Sequence, residues 1–270
     1  TQSVASQLTC QIPEQHLHEA SCLDGEGTPV CGIAEGHIHS EGCYAQEIFS
    51  QLSCDLTPHT HADACRSDPN ADLETQADWE GTFSHLTLTG NWAEDLTSVA
   101  ASQVGYRESE RNYLAEEGQP HKGYTRYGAW YGIPYGKWDA MFVSFCLHYA
   151  GIPQEAIPWN SNSQLWLEAL RCGALTADQL DKVPAAGDLL FYRQEEEIRT
   201  AIVLGMETVT DADGEYPSLR LIEGGRESQV LQHLIPREDI TVLRCCGISQ
   251  VQSKWDALQS LTETEPAEPT

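Results

Sequence analysis

The sequence predicts an α+β protein fronted by a small module rich in cysteine and histidine. Three observations carry that expectation. Apolar residues recur at helical spacing between residues 92 and 172, and short strand-like apolar runs follow from 188 to 247. Six of the ten cysteines and six of the ten histidines lie before residue 66. Helices followed by strands, rather than alternating with them, is the order of an α+β domain.

Residues 1–66 hold too few large apolar side chains to bury a dense core, the situation in which crosslinks or metals supply stability. Three segments repeat there. Cys10, His16, His18 and Cys22 form the first, Cys31, His37, His39 and Cys43 the second, and Cys54, His59, His61 and Cys65 the third. Side chains two apart point the same way on an extended chain but diverge by about 200° around a helix, so each H-x-H pair presents its imidazoles together on a strand or loop. Two flanking cysteines complete a four-ligand set suited to tetrahedral zinc, and three structural zinc ions are the simplest assignment. Ligand exchange between neighbouring repeats is an open variant. So is a disulfide in each repeat, joining Cys10 to Cys22, Cys31 to Cys43 and Cys54 to Cys65. That alternative gives the histidines no role.

Residues 67–90 are polar and acidic and read as a linker, with a domain over 91–248. A helix is expected over 92–104, burying Leu96, Val99, Ala100 and Val104. An aromatic and glycine-rich stretch, 123–138, leads into the central helix. There Phe142, Cys146 and Tyr149 follow Asp139 at helical spacing, and Gly151 closes the end. A further helix is expected over 163–172. Strands are expected at 188–192, 200–207, 218–224 and 240–247, with a turn at Asp211 to Gly214. Residues 249–270 read as an acidic tail or tether.

A formal charge of −26 repels phosphate backbones and anionic membranes, so nucleic acid is not an expected partner. No apolar run is long enough to span a bilayer. The first twenty residues lack the basic and apolar pattern of a signal peptide, so export implies that a leader has been removed.

The repeats resemble the CGxxEHxHxxxCY-type repeats of surface proteins from gut Firmicutes, although the third is one residue shorter and the first lacks the glycine. Residues 92–248 resemble the CHAP-type amidases and peptidases, relatives of the NlpC/P60 group. The resemblance lies in VAASQVGYRESERNY (99–113), GYTRYGAWYGIPYGKWDAMFVSFCLHYAGIP (123–153), PAAGDLLFY (184–192), TAIVLG (200–205) and LIEGG (221–225). It implies a papain-like fold with a nucleophilic cysteine at the start of the central helix, a histidine on the first long strand and a polar orienting residue on the next.

Those places are filled differently here. The family's W-C-A-M-F-V-S-F-C corresponds to Trp138 through Cys146, which puts Asp139 at the nucleophile position. Its D-H-V-G-I-V corresponds to Ile198 through Val203, which puts Arg199 at the base, and the orienting position maps to Glu223. Arginine cannot accept a proton at any relevant pH. A direct Asp139–Arg199 salt bridge, shared with Glu223, is the expectation, reproducing a thiolate–imidazolium pair with permanent charges. Cys146 lies about 10.5 Å along the helix from the tip and belongs to the core.

Tyr127, Trp130, Tyr131, Tyr135 and Trp138 are candidates for a ligand cleft, with core packing as the plainer reading. His85, His121, His148 and His233 have no partners at ligand spacing and are assigned no role. The function expected is that of a non-catalytic secreted or cell-surface module, with peptidoglycan or a host secreted protein as partner and no membrane insertion. Residual cell-wall hydrolysis and a purely structural stalk are the alternatives.

Overall fold

A computed structural model describes residues 2–8, 44–50, 67–115, 120–170, 174–176, 184–211 and 214–262. The cysteines and histidines of the three repeats lie outside the described residues, as do Cys172 and residues 263–270. The chain divides into two units, Thr1–Asp68 with Leu114–His121, and Pro69–Tyr113 with Lys122–Thr270. In the first, β1 (Gln2–Leu8) and β2 (Tyr44–Ser50) pair antiparallel from Gln2 opposite Ser50 to Leu8 opposite Tyr44. In sequence, this ladder brackets the first two repeats.

The second unit is α+β and begins earlier than the sequence suggested. The stretch expected as a linker contains α1 (Gln76–Gly81), and Trp79, Phe83 and Leu86 pack on the main core. The Trp79 Nε1–H donates to the Tyr149 hydroxyl at 2.8 Å, and Arg126 Nε donates to Glu74 at 2.7 Å. Three apolar anchors in an acidic run are too sparse a pattern to announce a packed segment.

In α2 (Trp92–Ser102) the Asn91 side chain accepts from the N–H groups of Ala93 and Glu94, and Leu96, Val99 and Ala100 are buried. Val104, expected on the same face, lies beyond the helix end and is exposed. Two short strands follow, β3 (Tyr113–Leu114) and β4 (Lys122–Gly123). The aromatic segment then forms α3 (Arg126–Tyr131), capped by Thr125 and ended by Gly132 at φ +93°. α4 (Asp139–Tyr149) is buried from Asp139 through Leu147, which makes it the central helix. α5 (Ser163–Ala169) is shorter than expected and is capped by Asn162, whose side chain accepts from the Leu165 N–H at 3.0 Å.

Six strands form one sheet, β5 (Ala174–Thr176), β6 (Leu189–Gln194), β7 (Glu197–Asp211), β8 (Gly214–Arg226), β9 (Gln229–Pro236) and β10 (Thr241–Cys246). Their order is β5-β10-β6-β7-β8-β9, with antiparallel neighbours throughout. One face packs Leu189, Phe191, Ile202 and Ile222 into the core around α4. The other buries Leu190, Tyr192, Ala201, Val203, Leu219, Leu221, Ile235 and Val242 in a second cluster. The five steps from Pro236 to Thr241 reach at most about 18 Å. Crossing the four strand spacings from β9 to β10 in a flat sheet takes about 19 Å. With a 3-10 turn at Arg237–Asp239 shortening that reach, the sheet must curl around the second cluster.

The register slips between Glu223 and Arg226, where Gly224 and Gly225 form an irregularity beside α4. A Cβ on Gly224 would sit 2.5 Å from Phe142 Cβ and 2.8 Å from the Trp138 ring, so only glycine lets the strand approach the helix there. Residues 249–262, expected as part of a tail, lie instead in α6 (Ile248–Thr262). Ile248 and Val251 are buried in the core, and the Gln252 side chain accepts from the Trp92 N–H and donates to Gly90 O.

Candidate functional site

The first residue of α4 is Asp139, only 1% exposed. Its Oδ2 accepts from the Ser163 hydroxyl at 2.6 Å and from the Thr200 N–H at 3.2 Å, and the Thr200 hydroxyl donates to Ser163 Oγ at 2.6 Å. All three side chains are buried. The tips of α4 and α5 and strand β7 thus close on one small polar knot. Oδ1 accepts no hydrogen bond, and Lys137 Nζ lies 3.9 Å from it. Among the described residues no imidazole bonds to Asp139 or Ser163, so the knot holds hydroxyls and a carboxylate without a base of the histidine type.

The direct Asp139–Arg199 salt bridge does not form. Strand alternation decides this. Arg199 pairs across β6 with Tyr192 and shares the face of Ala201 and Val203, turned away from α4, so its neighbour Thr200 meets Asp139. Arg199, 6% exposed, bonds instead to Glu197 through Nη1 at 3.1 Å and to the Gly224 carbonyl through Nη2 at 3.1 Å. Its Nε lies 3.7 Å from Glu223 Oε1 without a hydrogen bond. Burial opposes the Arg199 charge, but Glu223 and Asp139, with Tyr192 and Glu197, more than offset it and hold the guanidinium firmly protonated. Asp139 and Arg199 therefore feel each other's charge without touching.

Glu223 has no exposed surface. It accepts a very short hydrogen bond from the Tyr192 hydroxyl, bonds His233 Nε2 at 3.0 Å and accepts from Arg226 Nη1 at 3.4 Å. Burial pushes its carboxyl up, yet the His233 hydrogen bond, the charges of Arg199 and His233 and the Tyr192 hydroxyl prevail and hold it below the usual range. Burial and the Glu223 charge raise the Tyr192 phenol in turn. No family model, curated protein or solved structure matches this chain.

Tyr192, Arg226 and His233 were missed by sequence reasoning. His233 stood as a lone histidine because β9 was not foreseen, and only that strand brings it beside Glu223. The available signal was period-two alternation in Gln229–Pro236, weakened by its polar residues.

Two open clefts flank this arrangement. One of about 730 Å³ lies between the β6–β7 and β8–β9 turns and is lined by Gln194, Glu195, Glu196, Glu197, Arg199, Gly225, Arg226 and Glu227. The other, about 410 Å³, is lined by Lys137, Asn162, Ser163, Gln164, Arg193 and the chain from Glu196 to Ile198. None of the aromatic candidates lines either cleft. Tyr127 and Trp138 are buried and stacked at 5.3 Å, and Trp130 packs on Phe145, His148 and Trp159. Tyr131 is partly buried beside Trp130, and the Tyr135 hydroxyl donates to Asn112 at 2.7 Å. Cys146 is fully buried, as expected, and burial raises its thiol well above the ordinary value. Among the described residues no group of three or more histidine, cysteine or acidic side chains could hold a metal.

Proposed function

We propose that residues 91–248 are a degenerate CHAP-type domain of papain-like fold, serving as a non-catalytic binding or scaffolding module outside a bacterial cell. The three repeats act as structural zinc sites, each with its four positions filled by protein. One observation carries this reading. Where the resemblance expects a reactive thiol at a helix tip, a buried carboxylate is tied to Ser163 and Thr200, and the strand opposite supplies an arginine committed to Glu197, Glu223 and Gly224. Among the described residues, such a site has no nucleophile hydrogen-bonded to an imidazole. The clefts beside it leave room for a ligand from peptidoglycan or from a secreted host protein.

Cosedimentation of the whole chain with purified peptidoglycan, with a zymogram on the same sample, tests the proposal. Pelleting without clearing is expected. Failure to pellet, together with failure to bind host secreted proteins, leaves the stalk reading. The Ser163–Asp139 hydrogen bond favours residual hydrolysis as a second reading, with a hydroxyl as nucleophile, although a carboxylate is a far weaker base than an alkoxide. Clearing that disappears in Ser163→Ala is the result that reading requires.

A further inference from the structure

We propose that the cleft between the β6–β7 and β8–β9 turns takes a peptide end bearing both a free carboxylate and a side-chain ammonium. The carboxylate rests on Arg226 and the ammonium lies among Glu195, Glu196 and Glu227. The inference rests on the reading of this cleft as a binding site and specifies its ligand.

Arg226 is held from behind. Its Nη1 donates to Gln194 at 3.1 Å and to Tyr192 and Glu223 at 3.4 Å each. Nε and Nη2 have no partner among the described residues, and the side chain is 25% exposed on the cleft. A guanidinium fixed on one side by a buried carboxylate presents its remaining planar edge to a second carboxylate, the geometry that edge matches best. Arg199, more than nine-tenths buried, lines the same cleft with its Nη1 on Glu197 and its Nε turned toward buried Glu223, so Arg226 is the guanidinium left for the ligand.

Charge selects the rest of the ligand. Of the charged residues lining the cleft, Arg199 is paired with Glu197 and Glu223, and Arg226 with Glu223. On the rim, Glu195, Glu196 and Glu227 are exposed and form no ion pair among the described residues. A ligand with only a carboxylate meets the three rim carboxylates, and one with only an ammonium leaves the Arg226 edge empty. A residue of the lysine type at a free C-terminus satisfies both, and about 730 Å³ accommodates two or three residues.

Titration calorimetry of the whole chain with acetyl-glycyl-lysine, its C-terminal amide and acetyl-glycyl-norleucine tests the proposal. The free acid of the lysine peptide is expected to bind, with the amide and the norleucine peptide each about tenfold weaker or more. Arg226→Ala is expected to abolish discrimination between acid and amide. Because that change also unbalances Glu223, the paired surface variant Glu196→Gln with Glu227→Gln serves as a second probe, weakening the lysine peptide and sparing the norleucine one. Equal binding of acid and amide, or no binding of the acid, overturns the proposal. If the chain pellets with peptidoglycan yet ignores these peptides, the ligand assignment falls and the binding role stands. If it does neither and also fails to bind host secreted proteins, both fall.

Discussion

At Glu223 a carboxylate without solvent contact is balanced by Arg199 and Arg226 and bonded by Tyr192 and His233. Removing one member of such a cluster leaves the others buried and unmatched, so Glu223→Ala is expected to cost roughly 3–5 kcal/mol in denaturant unfolding. Its carboxyl is held below the ordinary 4.5 when folded, so its stabilisation is present above that value and is lost as pH falls below it. Unfolding midpoints measured from pH 6 downward should therefore fall less steeply for Glu223→Gln than for the unaltered chain. Ser163→Ala, which removes the hydroxyl donor to Asp139, is expected to cost roughly 1–3 kcal/mol. Asp139 at the helix start and Cys146 in the core were legible in the sequence because helical spacing fixes both. That Asp139 and Arg199 do not pair was not legible, because a one-residue parity on β7 sends Thr200 toward the helix and Arg199 to the other face.

Among the elements, α4 and β8 approach most tightly at Gly224, where no room remains for a Cβ. Gly224→Ala should lower stability by about 1–3 kcal/mol, measured by thermal or urea unfolding, because its Cβ would meet Phe142 and Trp138 in a filled core. Strand β10 places Cys245 and Cys246 on opposite faces, each buried in a different cluster. Burial, with Asp188 nearby, pushes the Cys245 thiol up to about 12. Alkylation mapped by peptide mass spectrometry should therefore leave Cys146, Cys245 and Cys246 unmodified until the chain unfolds. The helices and strands with strong apolar periods were readable in advance. α1, α3, α6 and β9 were not, since each owes its burial to a few anchors that take on meaning only once α4 and the sheet are in place.

Over the whole molecule, a net charge of −26 gives a field that gathers cationic ligands and turns away anionic surfaces. The repeats add a separate test of composition. With zinc in all three, metal analysis should give three ions per chain, and all ten cysteines should titrate after chelation and denaturation. With disulfides only the four later cysteines would titrate. The central proposal is that the tip of α4 performs no hydrolysis, and turnover of soluble peptidoglycan fragments by the purified chain addresses it most directly. The account predicts no products above the uncatalysed background, for the unaltered chain and for Asp139→Ala alike; sustained product release that vanishes in Asp139→Ala would contradict it.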